Sequence, residues 1–176
     1  MATVQSAAGP WDCVLLNYRL PREPSTPRIA VWRQLRRLGA AQLSDGLVTL
    51  PDDARTREQL DWVAATVAEA GGTAGVWLAR PASLAQERDL AAAMAAARAT
   101  EYQSLRDQAK TAAGLPAAER ARVARRLRDQ LRGIRRRDFF PPPQRAAAVA
   151  VVNALVAGDP AFQAAGPVRG HSGSRQ

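Results

Sequence analysis

The sequence predicts an α+β chain, a four-stranded antiparallel sheet carrying two helices and followed by about three further helices. Three observations predict it. Short apolar runs alternate with amphipathic stretches as far as Ala79, an Asp45-Gly46 pair joins two of those runs, and beyond Pro81 the pattern is wholly helical.

Trp11 to Leu16 is apolar at nearly every position and reads as a buried first strand, ended by Asn17-Tyr18-Arg19. A Pro-rich turn leads into a helix that opens at Thr26-Pro27. Ser25 or Thr26 can cap it, and Pro27 suits a first turn where its missing N–H has no partner to lose. Ile29, Trp32, Leu35 and Leu38 form the expected inward stripe, and Gly39 is the expected C-terminal cap. Two short apolar runs follow, Ala40 to Leu43 and Leu47 to Pro51. The Asp45-Gly46 between them is a hairpin signal, because a tight turn needs positive backbone angles. Residues 55–70 read as a second amphipathic helix with Leu60, Val63 and Val67 inward, stopped by Gly71-Gly72. Gly75 to Ala79 reads as a fourth strand. The order β-α-β-β-α-β is that of a ferredoxin-like sandwich.

Ser83 with Gln86 forms a capping-box pattern that starts a long helix towards Ala113, with Leu90, Met94, Ala97 and Leu105 roughly on one side. Gly114-Leu115-Pro116 breaks it. The helix at 117–137 places Ala124, Leu127, Leu131 and Ile134 inward. A rigid Asp138 to Pro143 corner then precedes an Ala/Val helix at about 144–157. The expected organisation is a disordered N-terminus at 1–10, a ferredoxin-like domain at 11–80, a helical region at 83–157 packed on or beside it, and a disordered tail at 158–176.

The chain has 176 residues and a formal net charge of +9, with 25 basic residues of which only Lys110 is a lysine. The charge is focal. Residues 17–39 hold six arginines and one acid, and residues 116–140 hold nine arginines and three acids; the remainder is close to neutral. Focal positive charge favours a polyanion or a small oxyanion as partner. The competing reading is a pair of solvated helix faces.

Cys13 is the single cysteine, which excludes an internal disulfide and a cysteine-based metal cluster; its place inside the first strand makes it a small core residue. His171, the single histidine, stands in the tail. The N-terminus lacks a basic region followed by an apolar core, so no secretory signal is expected, and no apolar run approaches the length of a membrane span. A cytoplasmic protein without membrane association is the expectation. No phosphate-binding glycine loop, Ser-His-Asp set or metal-ligand spacing stands in the sequence, so neither an enzyme nor a cofactor is expected.

Two sites stand out. The turn and helix start offer Arg22, Ser25, Thr26 and Arg28 to an oxyanion, because free N–H groups at a helix start and planar guanidinium forks both suit one. A nucleic-acid surface is expected from Arg33, Arg36 and Arg37 on the first helix and from Arg125, Arg128, Arg132, Arg135 and Arg136 on the basic one. These lie off the apolar stripes, where they can neutralise phosphates. Glu101, close to the apolar side of the long helix, is expected to pair with an arginine of the next helix and set the register of a helical hairpin.

The run Tyr18-Arg19-Leu20-Pro21-Arg22-Glu23-Pro24-Ser25-Thr26-Pro27-Arg28, with Val31-Trp32-Arg33, Leu38-Gly39-Ala40 and the later Arg137-Asp138-Phe139-Phe140, resembles the N-terminal domain of the chromate resistance protein ChrB. The resemblance extends from about Trp11 to Leu155. It implies a chromate-responsive regulator of a chromate efflux operon, binding promoter DNA and, as a further ligand, chromate or another oxyanion. Longer family members carry a further C-terminal domain, which this chain is expected to lack. The sheet region also resembles the ferredoxin-like domain of PaaX-type repressors and of CRISPR-associated small nucleases. The nucleases hold a metal with an Asp at the end of the first strand. Asn17-Tyr18 stands there instead, and an amide is a poor ligand for a hard cation, so nuclease activity is not expected. The alternative function is a protein–protein or dimerisation module, a homodimer being compatible with this sheet type.

Overall fold

A computed structural model of the chain describes residues 11–157. The expected disordered ends, His171 among them, lie outside the described residues. The elements run β1 (Cys13–Arg19), α1 (Thr26–Leu38), β2 (Ala41–Ser44), β3 (Leu47–Pro51), α2 (Ala54–Glu69), β4 (Thr73–Ala79), α3 (Leu84–Ala113), α4 (Ala117–Arg136) and α5 (Gln144–Ala157). The chain divides into two compact units, one closing at Ala95 and the other opening at Ala96, so the boundary falls inside α3.

The first unit is a mixed α+β layer structure. Its sheet is antiparallel with strand order β2-β3-β1-β4. β1 is therefore an inner strand, paired with β3 from Cys13 to Asn17 and with β4 along its whole length. Pairing with β4 explains why the strand continues through Asn17-Tyr18-Arg19, where polarity alone suggested an end. Side chains alternate across the pleat. Val14, Leu16, Val48 and Leu50 share one face and are buried, under the face that α2 packs against. Each such side chain contributes about 1.5–3 kcal/mol by leaving water. Cys13, Leu15 and Thr49 point to the other face, where Pro81 and the first turns of α3 border them around a cleft of about 330 Å³. Cys13 is buried there and donates to the Ala79 carbonyl at 3.3 Å. Burial pushes its thiol pKa up, the nearby acids Asp12 and Asp52 push the same way, and a bond with Thr49 offsets part of the rise. It is the small core residue that its position suggested.

α1 differs from the stripe read from its sequence. Val31 and Leu35 are the buried pair, whereas Ile29 is 45% and Trp32 50% exposed. A period of three drifts around a helix of 3.6 residues per turn, while i and i+4 stay on one side. Trp32 instead lies outward with the Arg36 guanidinium 5.2 Å from its ring centre. Gly39 ends the helix in the left-handed conformation, φ 80°.

The β2–β3 hairpin forms at Asp45-Gly46, but Gly46 alone takes a positive φ, 72°. A register shift between Gln42 and Ser44 supplies the rest of the reversal as a bulge. Gly46 also accepts from the Tyr18 N–H at 2.7 Å, and a Cβ on it would lie 2.3 Å from the Tyr18 carbonyl oxygen. α2 is started by a reciprocal capping box: Asp53 Oδ1 accepts from the Thr56 N–H at 2.7 Å, and Thr56 Oγ1 accepts from the Asp53 N–H at 2.9 Å. Leu60, Val63 and Val67 are buried as their spacing implied.

α3 begins with the Gln86 N–H donating to Ser83 Oγ at 3.2 Å, while Gln86 Oε1 accepts from the N–H of Ala82 rather than that of Ser83. Within the helix Met94 and Leu105 are buried and Leu90 is half-buried, but Ala97 is exposed. Arg98 and Tyr102 take the inward places beside it. A charged residue can go inside here because Glu101 lies one turn on, 3.1 Å away.

The second unit is helical. Its core joins Tyr102, Leu105 and Ala109 of α3 with Ala124, Leu127, Leu131 and Ile134 of α4 and Ala148, Val152 and Leu155 of α5. The four α4 residues are those the sequence spacing selected. Among the described residues no helix is long and apolar enough to cross a membrane.

Candidate anion and nucleic-acid interface

The predicted site residues fall in both units. In the first, Arg22, Ser25, Thr26 and Arg28 all stand on the surface around the start of α1. Ser25 occupies the capping position, yet its side chain makes no capping hydrogen bond, and the first turn contains no acid. The Ile29 N–H closes the first helical bond on the Ser25 carbonyl at 3.1 Å. Arg33, Arg36 and Arg37 are exposed on the same helix, Arg36 against Trp32.

In the second unit, α4 places its charge by the same geometry that builds its core. With Ala124, Leu127, Leu131 and Ile134 inward, Arg125, Arg128, Arg132, Arg135 and Arg136 are all exposed on the remaining arc. Arg132 pairs with Asp129 one turn back. Arg135 and Arg136 occupy the last turn, where cations offset the partial negative charge of the helix end. Among the acids of α3, Asp107 accepts from Gln103, and Glu101 pairs with Arg98 and, at 2.9 Å, with Arg137. Glu101 therefore ties α3 to the end of α4, the hairpin-setting role its sequence position suggested.

Arg132, Arg135 and Arg136 are brought together around a surface cleft of about 360 Å³, and a fourth arginine, Arg145 of α5, completes its wall. Arg125 and Arg128 lie further back along α4, outside this cleft. Arg145 was not singled out from sequence, since it stands in an Ala/Val helix that reads as apolar. The Arg137-Asp138 pair just before the proline corner was the available signal. The Asp138 side chain is fully buried and accepts from the Tyr102 hydroxyl at 2.7 Å and from Arg145 at 3.4 Å, both on Oδ2. Burial, and next the bond to Asp138, hold the Tyr102 phenol well above its ordinary pKa. A neutral phenol donating to a buried carboxylate fixes where Arg145 stands. A second cleft of about 700 Å³, walled by Pro141, Pro142, Pro143, Val149 and neighbouring alanines, shares Arg135 and Arg145 with the first.

No group of three or more His, Cys, Asp or Glu side chains among the described residues is placed to hold a metal ion.

An antiparallel sheet with order β2-β3-β1-β4, an arginine-faced helix and a helical second unit define an arginine-rich α+β chain. The chain matches the family described as Protein ChrB, N-terminal, over residues 28–115. Protein ChrB of Cupriavidus metallidurans is 34% identical over 132 residues, which cover 73% of this chain and 40% of that relative. The chain belongs to the ChrB N-terminal family. It spans well under half the length of the curated relative it matches. No solved structure matches it. The family match takes in Arg28, Arg33, Arg36 and Arg37 and ends before α4, so the arginine arc of α4 lies beyond it.

Proposed function

We propose that this chain is a cytoplasmic regulatory protein of chromate resistance that binds DNA, the promoter of a chromate-efflux operon, through its arginine faces. One observation carries the reading: the α4 arginines Arg125, Arg128, Arg132, Arg135 and Arg136 are exposed while the opposite stripe is used in the core. Family membership supports the chromate context. The element order and strand order support reading the first unit as a ferredoxin-like sandwich. The chain acts as a binding protein rather than an enzyme. Chromate or another oxyanion is its small ligand, taken at Arg22, Ser25, Thr26 and Arg28, where an acid-free first turn leaves donors for it.

The test is affinity for promoter duplex against salt. Each phosphate neutralised contributes roughly −0.9 to the slope of log affinity against log salt, so an arc of several arginines gives a steep line. Arg125→Ala with Arg128→Ala should flatten it by roughly 1–2. A flat wild-type line would sink the DNA reading. For the oxyanion, calorimetric titration with chromate should lose its heat in Arg28→Ala; equal heats in both proteins count against that site.

A second reading, a dimerisation module, is favoured by β4. It is an edge strand of seven uncharged residues with Trp77 and Leu78 each 62% exposed, whereas the other edge, β2, is short and bulged. Edges without charge, proline or bulge are those that pair with another chain. Light scattering of wild type and Leu78→Lys distinguishes it: a dimer converted to monomer supports it, and a wild-type monomer at high concentration rejects it.

A further inference from the structure

The two faces of the first unit's sheet are unequally covered. Val14, Leu16, Val48 and Leu50 are buried on the face that α2 packs against. The pairing register defines the other face. Leu15 stands opposite Trp77 and Thr49, Asn17 opposite Gly75 and Leu47, and Arg19 opposite Thr73, so these residues share one side of the pleat. At one end of it Cys13 and Thr49 are buried, bordered by Pro81 and the first turns of α3. Further along, Asn17, Arg19, Thr73 and Trp77 are all exposed.

Trp77 is 62% exposed. The edge of its indole extends over Gly75, where an added Cβ would lie 3.0 Å from Nε1 and 3.5 Å from Cε2. The missing side chain lets the ring lean along the sheet towards Asn17, the residue opposite Gly75. A large aromatic surface left in water gains by stacking on another planar group. On the open face of an antiparallel sheet it is a platform for an unstacked base.

The neighbouring groups narrow the planar ligand. The Asn17 amide and the Thr73 hydroxyl can each donate and accept, which suits base edges and the ribose 2′-hydroxyl. Arg19 supplies a guanidinium fork suited to a phosphate, and β1 and β4 contain no acid to compete for it. A purely apolar cover over Trp77 would desolvate Asn17 and Arg19 without giving them partners.

We propose that this open sheet face binds a short segment of single-stranded RNA. One base stacks on Trp77, its edge or ribose meets Asn17 and Thr73, and a neighbouring phosphate lies on Arg19. The site is built from the first unit and does not depend on the duplex reading of α4.

Fluorescence anisotropy of the full chain with a labelled oligouridylate of about 8 nucleotides tests it. Titration at about 0.5 M salt suppresses phosphate contacts made by α4. One phosphate contact predicts a shallow slope of log affinity against log salt, roughly −0.7. Trp77→Leu keeps apolar bulk but removes the π face, and should weaken binding at least fivefold, whereas Trp77→Phe should retain most of it. Arg19→Ala should weaken binding and abolish the slope. Arg125→Ala with Arg128→Ala should change nothing, and an oligodeoxythymidylate of the same length should bind more weakly. If Trp77→Leu misfolds by circular dichroism, the exposed Arg19→Ala decides. No saturable binding, an unchanged Trp77→Leu, or equal affinity for the DNA probe overturns the proposal. So does loss of binding in the Arg125 and Arg128 double variant, which would place the oligonucleotide on α4. Light scattering closes the remaining route: if Trp77→Leu loses binding only by turning a dimer into a monomer, Trp77 belongs to the strand-edge interface and the proposal fails.

Discussion

Tyr102 and Asp138, 36 residues apart, meet through a 2.7 Å hydrogen bond in which a fully buried phenol donates to a fully buried carboxylate. The second oxygen of Asp138, Oδ1, is buried without a hydrogen-bond partner among the described residues. The carboxylate thus relies on one oxygen, shared between Tyr102 and Arg145. Few contacts in the second unit carry so much, because a buried charge that loses a donor recovers nothing from water.

Tyr102→Phe keeps the ring and removes the donor. It should lower stability by about 1–3 kcal/mol in urea denaturation. The pH dependence has a definite sign. The phenol's folded pKa is raised, so its contribution is complete below the unfolded value of about 10 and is lost as pH rises above it. Wild type should lose stability progressively above about pH 10, and the phenylalanine variant should lack that component. Parallel alkaline profiles would show that Tyr102 ionises normally.

Glu101 takes one guanidinium on each oxygen, Arg98 at 3.1 Å and Arg137 at 2.9 Å. Arg98 is 8% exposed and Arg137 mostly covered. Removing the carboxylate leaves two cations facing each other where water reaches them poorly. Glu101→Ala should cost about 3 kcal/mol, near the low end for breaking a buried pair, because Glu101 itself is partly exposed. Replacing Glu101 and Arg98 together by apolar residues should cost less than Glu101→Ala alone. A larger loss in the double variant would refute the account.

The same pair shows how much could be read before any coordinates. Glu101 was legible because an acid near an apolar stripe needs a cation. Arg98 was not, since an arginine in an Ala-rich helix reads as solvent-facing. The core of α4 was legible as Ala124, Leu127, Leu131 and Ile134, whose spacing fits one helical face in an otherwise charged sequence. In α1 the apolar residues outnumber the places available. Ile29, Trp32, Val31 and Leu35 compete, and only packing against the neighbouring elements decides that the branched Val31 goes in while Trp32 stays out. The arginine cleft was half legible. Arg132, Arg135 and Arg136 follow from the helix, but Arg145 joins them only through the proline corner, a non-local reversal no periodicity encodes.

Gly46 and Gly71 both have a positive φ, 72° and 75°, but differ in surroundings. Around Gly71 nothing lies within 4 Å of an added Cβ, so Gly71→Ala carries the backbone penalty alone, about 1–2 kcal/mol. At Gly46 the same atom would meet the Tyr18 carbonyl oxygen at 2.3 Å, and a backbone atom cannot swing aside. Gly46→Ala should therefore cost more than Gly71→Ala by at least about 1 kcal/mol and displace the hairpin from the end of β1. Thermal or urea unfolding of the two variants measures the difference. Equal costs would mean that the hairpin relaxes freely.

The start of α2 supplies an acid-side counterpart to Tyr102. Arg57 donates to both oxygens of Asp52 at 2.5 Å, and this bond holds the Asp52 carboxyl below its ordinary pKa. A lowered folded pKa contributes stability that is present above the unfolded value of about 4 and is lost as pH falls through the folded one. Arg57 is half-exposed, so solvent screens the pair and its contribution is small. Wild type should lose that increment on acidification below about pH 4, and Asp52→Asn should show a correspondingly shallower acid limb. Salt supplies the control. If the pair is screened as its exposure implies, 1 M salt should shrink the difference between wild type and Asp52→Asn at pH 7. A difference that ignores salt would instead assign the effect to the helix start, where the neighbouring Asp53 caps Thr56 irrespective of Arg57.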